Sequence, residues 1–117
     1  MTAIAIWHNP RCSKSRAALA LLQERGVEPQ VRRYLEVPPN EKELREVLDM
    51  LGGPAIGMMR TGEPLFSELE LARDAPDEVL IAAMAAHPKL IERPLAMADG
   101  RAVLGRPPER VLELLED

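Results

Sequence analysis

One cysteine, Cys12, stands in the run His8-Asn9-Pro10-Arg11-Cys12-Ser13-Lys14-Ser15-Arg16. It follows a strand-like stretch and opens a helix-like one, which places a thiol at a helix N-terminus. There the unpaired backbone N–H groups and the positive end of the helix dipole favour thiolate over thiol. The same N–H groups cradle oxyanions, so nucleophile and anion site coincide. The hydroxyls of Ser13 and Ser15 are candidate donors to the thiolate or to a bound anion. Arg16, four residues after Cys12, lies one turn along the same helix face. His8 has two readings. It takes the thiol proton or steadies the thiolate as imidazolium, or it ends a strand with its ring bonded to backbone. Arg11 and Lys14 add positive charge or are plain solvated side chains.

A chain with one cysteine has no internal disulfide and no cysteine-built zinc site. The position three after Cys12 is Ser15, so no Cys-x-x-Cys pair resolves an adduct internally. Any covalent adduct on Cys12 needs an external thiol. A free thiol of this kind fits a reducing compartment, and a cytoplasmic location is expected.

The elements that position Cys12 follow from punctuation and period. Ala3–Trp7 reads as a buried strand broken by Pro10. Ser13–Glu24 reads as a helix stopped at Gly26. Its stretch Ala17–Leu22 is apolar all round, which predicts burial on more than one side. Pro29–Leu35 reads as a second strand, completing a βαβ unit with a parallel pair. Asn40, with Glu43 three residues on, predicts a capping box. Leu44, Val47, Leu48 and Leu51 keep helical spacing up to Gly52. Shorter helices are predicted over 54–60 and 63–73, and another from Pro76 through Ala86. Asp99-Gly100 between Leu95–Ala98 and Arg101–Leu104 predicts a hairpin, and Pro107-Pro108 leads into a last helix over Glu109–Leu115. The fold class is α/β: a thioredoxin-like β-α-β … β-β-α four-stranded mixed sheet with a helical insertion in the middle. One domain over residues 1–117 is expected.

Composition narrows the partners. The 117 residues carry 15 Lys+Arg against 19 Asp+Glu, a net charge of −4, which argues against non-specific nucleic-acid binding and against anionic membranes. The longest apolar run, Val79–Ala86, falls well short of the ~20 residues that span a bilayer. Met1–Trp7 lacks the basic start of a signal peptide. No metal, nucleotide or flavin site is indicated.

The Cys12 loop resembles the active-site loop of the glutaredoxin-dependent arsenate reductases. Tyr34-Leu35-Glu36 before Pro38-Pro39 is similar to the same family's second-strand exit. Arg60, His87-Pro88 through Arg93-Pro94, and Gly105-Arg106-Pro107 follow in the family's order along essentially the whole chain. The resemblance implies that Arg60, Arg93 and Arg106 converge on Cys12 and bind arsenate, since guanidinium forks match its oxygens. It also implies a cis peptide at Arg93-Pro94. Arg60, at the end of a short helix, is equally a cation favoured by the helix dipole. Further expectations from the resemblance are attack of the Cys12 thiolate on arsenate, glutathione as co-substrate, glutaredoxin as partner, and a monomer. No tightly bound cofactor is expected. Spx-like regulators, which share this fold and bind RNA polymerase, are the alternative outside enzymology. A glutathione-linked thiol reductase with another substrate is the alternative within it.

Overall fold

β1 (Ala5–Trp7) stops before the loop that holds Pro10, and it occupies the second position of a four-stranded sheet. The computed structural model describes residues 3–115. After α1 (Ser13–Glu24), β2 (Gln30–Arg32) pairs parallel to β1, with Ile6 opposite Val31. β3 (Leu95–Ala98) lies antiparallel on the other side of β1, and β4 (Arg101–Leu104) closes the order β2-β1-β3-β4. The sheet is therefore mixed, and the fold is the expected thioredoxin-like β-α-β … β-β-α.

Side chains alternate across the strands, so Ile4, Ile6, Ala96, Ala98 and Val103 share one face. They bury against Ala18 and Leu22 of α1 and against Val111 and Leu114. The last two lie on a 3-10 helix, Pro108–Leu115, where a helix rather than a specific type was expected. Three residues per turn set Val111 and Leu114 on one side. The hairpin turn is as the Asp-Gly pair predicts: Asp99 at φ 50° and Gly100 at φ 74° both take the left-handed region of a type I′ turn.

The helix expected over 63–73 spans only Pro64–Glu68, with Glu70 in the left-handed region at φ 56°. Two further expectations are corrected. β2 ends at Arg32 instead of reaching Leu35, and the Arg33 carbonyl accepts from the N–H groups of Glu36 and Val37, making a turn. The parallel partner sets this limit. After the His8 N–H donates to the Arg32 carbonyl at 2.8 Å, the neighbouring chain turns away and offers nothing more to pair with. Second, α1 buries only one side. Ser15, Ala18 and Leu22 are buried, whereas Ala17 and Ala20 are exposed. An alanine carries little apolar surface and is a strong helix former, so water beside it costs little.

Residues up to Val37 and from Arg93 onward make the sheet-bearing unit; Pro38–Glu92 make a second, helical one. The latter holds α2 (Glu41–Leu51), a 3-10 turn (Ala55–Met58), α3 (Pro64–Glu68), α4 (Asp77–Ala86) and a second 3-10 turn (Pro88–Leu90). Its buried side chains include Leu44, Leu48, Met58, Leu80, Met84 and Leu90. A bridge between Met59 and Ile91 ties the residue after the first 3-10 turn to the residue after the second. Among the described residues no helix is long and apolar enough to cross a membrane.

α2 begins with the expected capping box. Asn40 Oδ1 accepts the Glu43 N–H at 2.8 Å, and Glu43 Oε1 accepts the Asn40 N–H at 3.0 Å. Asn40→Ala is expected to lower unfolding free energy by about 1 kcal/mol, read as a lower denaturant midpoint at unchanged slope. A midpoint equal to that of the wild type would remove the cap from the account of this helix.

Candidate active site

The sheet order brings one end of three strands together. Cys12 follows the C-terminal end of β1. Trp7 pairs with Leu95, so the chain entering β3 through Arg93-Pro94 arrives at that same end. Leu95 in turn pairs with Leu104, so Arg106 leaves β4 there as well. Residues far apart in sequence are thus delivered to one rim.

Asn9 organises the loop. Its side-chain oxygen accepts the Arg11 N–H and its carbonyl accepts the Cys12 N–H, both at 3.0 Å. Cys12 is the N-cap of α1 with extended backbone (φ −93°, ψ 123°), and its carbonyl accepts the Arg16 N–H at 3.0 Å. No acidic residue occupies the first turn of the helix. The thiol is partly exposed. Partial burial pushes its pKa up, but this is outweighed by the Ser15 N–H, the charge of Arg93, the Lys14 N–H and a hydrogen bond from the Arg93 side chain, so the pKa lies below that of an ordinary cysteine. No ideal side-chain cap bond closes the helix, so the amides act on the sulfur chiefly as oriented dipoles.

Arg106 supports this arrangement. Its Nη1 donates to the Arg93 carbonyl at 3.1 Å, and the Gly105 N–H donates to the Pro94 carbonyl at 2.9 Å. The Arg93-Pro94 peptide is cis, as the resemblance implies; Arg106-Pro107 is also cis, which the sequence did not announce.

The other candidates are placed differently. Ser15 is fully buried, and its hydroxyl does not point at Cys12. It accepts the Asn9 N–H at 3.0 Å and shares a 2.6 Å hydrogen bond with His8 Nδ1. Its backbone N–H, rather than its side chain, acts on the sulfur. His8 is 6% exposed and bonds a side chain, not backbone. Burial lowers its pKa, and Arg33 and Arg16 lower it further, all of which favour the uncharged ring. The lowered pKa disfavours the imidazolium, and the Nδ1 bond to Ser15 stands in place of the backbone bond that the strand-end reading expects. Arg16 folds back, its Nη1 donating to the Pro10 carbonyl at 2.9 Å, and so closes the loop. Ser13 is exposed on the first turn. Arg60 belongs to the helical unit, where its guanidinium pairs with Glu63 at 3.3 Å; Lys89 shares that carboxylate at 3.7 Å. Glu63 is a counter-charge the sequence reading did not weigh, although its spacing of three from Arg60 signals it.

A cavity of about 260 Å³ lies on the β2 side of the loop, with His8, Arg11 and Arg33 in its wall. Among the described residues no cluster of His, Cys, Asp and Glu is able to hold a metal ion.

Comparison with known proteins agrees with this fold. Residues 7–114 match the ArsC family. A Neisseria meningitidis protein named arsenate reductase is 48% identical over 117 residues, 98% of this chain and 100% of its own. The uncharacterized protein YfgD of Escherichia coli is 52% identical over 114 residues, 96% of each chain. Among solved structures, the arsenate reductase from Vibrio cholerae superposes with a TM-score of 0.93 at 49% identity, covering 97% of this chain and 98% of that one.

Proposed function

We propose that this chain, which belongs to the ArsC family, is an arsenate reductase with Cys12 as nucleophile. The observation that carries the reading is the Cys12 thiol held at the mouth of α1 under the Arg93 guanidinium, with its pKa depressed. A sulfur kept ionised beside an anion-binding set of donors is the arrangement that attack on a tetrahedral oxyanion requires. Relatives named arsenate reductase over nearly the full length support the choice of anion.

In the proposed sequence the Cys12 thiolate attacks arsenic, an S–As bond forms, and one oxygen leaves as water after taking up a proton. Arg93 and Arg106 bind the remaining oxygens and offset the charge on them. A glutathione thiolate then attacks the Cys12 sulfur. The S–As bond breaks with its electron pair left on arsenic, so arsenite departs and a mixed disulfide remains; two sulfurs are oxidised and arsenic is reduced. Glutaredoxin attacks the glutathione sulfur of that disulfide and returns Cys12 as thiolate. An external thiol is unavoidable, since Ser15 stands where a resolving cysteine would be. Arg11 and Arg33, set against the single carboxylate of Glu36 in the wall of the cavity beside the loop, support approach of an anionic thiol. The chain is proposed to act as a monomer in the cytoplasm.

The test is arsenite formation by the purified protein with glutathione plus glutaredoxin, and with thioredoxin in their place. Turnover is expected with the first donor set. Turnover with thioredoxin alone overturns the donor assignment. Reduction of a glutathionylated peptide without arsenate turnover moves the activity to mixed disulfides.

A further inference from the structure

Gly105 sits one residue beyond β4, where the chain meets Pro94 edge-on. A Cβ built there would stand 2.7 Å from Pro94 Cγ, 3.0 Å from Val111 Cγ1 and 3.4 Å from Pro94 Cδ. The first distance is shorter than real side chains tolerate, and the proline ring is no flexible tip that swings aside. It is closed on its own backbone, directly after Arg93. Any push on Pro94 is therefore passed to Arg93. By contrast, a Cβ at Gly26, Gly52, Gly57 or Gly62 would meet nothing within 4 Å. Two hydrogen bonds lock the same approach: Gly105 N–H to the Pro94 carbonyl at 2.9 Å, and Arg106 Nη1 to the Arg93 carbonyl at 3.1 Å.

We propose that Gly105 is a positioning residue: the bare backbone lets the exit of β4 close on Arg93-Pro94 and so fixes the Arg93 guanidinium against Cys12. Gly105 touches neither substrate nor sulfur. It acts through the two residues it clamps. The inference rests on the thiolate reading of the site above.

The experiment is the pH dependence of Cys12 alkylation by iodoacetamide in three variants beside the wild type. In Gly105→Ala the profile is expected to move to higher pH. A rise of about half a unit cuts the thiolate fraction about threefold at pH well below the pKa. Val111→Ala is the control. It opens the same corner of the core without pressing on Pro94, so its melting temperature should fall while its alkylation profile stays with the wild type. Gly105→Ala/Val111→Ala gives the new Cβ room on the Val111 side and leaves only the Pro94 contact. It remains informative if Gly105→Ala alone does not fold, and its profile should also move to higher pH. A double variant that titrates with the wild type, or a Val111→Ala profile displaced as far, overturns the role of Gly105. A wild-type thiol that titrates like a free cysteine overturns the thiolate reading instead, so the two failures are told apart.

Discussion

Cys12→Ser is expected to reduce arsenate no faster than glutathione does unaided, a loss of at least about a thousandfold in kcat. A serine hydroxyl at this position stays protonated near neutral pH, so neither backbone amides nor arginine can supply the missing anion. The fold should not suffer. Cys12 is the N-cap of α1, and serine is a favoured residue at that position. The N-cap gain and the loss of the stabilised thiolate oppose each other, so the melting temperature should stay near that of the wild type, which separates loss of chemistry from loss of structure. Arsenite release within tenfold of the wild-type rate would show that another group carries the reaction.

Arg93→Ala is expected to be the next most damaging change, lowering kcat/KM by about a hundredfold to a thousandfold, the usual cost of one preorganised donor at a developing anion. Two losses combine. On the proposed function the oxyanion gives up a guanidinium fork, and Cys12 gives up both a neighbouring charge and a hydrogen bond that favour its thiolate. The sign of the pH effect follows. With Arg93 gone the thiol pKa rises, so activity at neutral pH falls further than activity at alkaline pH, and the rate profile moves upward. Arg93→Lys keeps the charge without the fork and should titrate nearer the wild type while binding arsenate poorly. The depressed thiol pKa also couples to stability. The folded state binds fewer protons at Cys12 than the unfolded state, so stability is present above the ordinary cysteine pKa and is lost as pH falls through the native value. An Arg93→Ala pH–rate profile that overlies the wild type would detach Arg93 from the thiol.

Where one residue decides the backbone by itself, the sequence was a sufficient guide. Pro10 and Gly26 bracket α1, Asn40 and Glu43 start α2, and Asp99-Gly100 forces a turn that only left-handed residues accept. The end of β2 was hidden because a strand at a sheet margin lasts only as long as its neighbour, and Trp7 and His8 supply that limit. Arg93 and Arg106 were recognisable from the prolines that follow them. Their meeting at the Cys12 rim depends on the order β2-β1-β3-β4, which no local spacing encodes. The His8–Ser15 bond was invisible for a related reason. Seven residues separate the pair, and only the turn built on Asn9 folds one onto the other. Ser15 was expected to serve the sulfur with its hydroxyl; burial and two partners took that hydroxyl into the loop, and left the amide for Cys12.

The sheet-bearing unit is assembled from both ends of the chain, with the entire helical unit encoded between them. A ribosome therefore releases Cys12 early and Arg93 late. Until β3 emerges and pairs with β1, the nascent thiol has the amides of α1 beside it but not the Arg93 guanidinium. The full depression of the thiol pKa therefore waits on Arg93, and a polypeptide that stops short of β3 carries the sulfur with only the amide part of its activation.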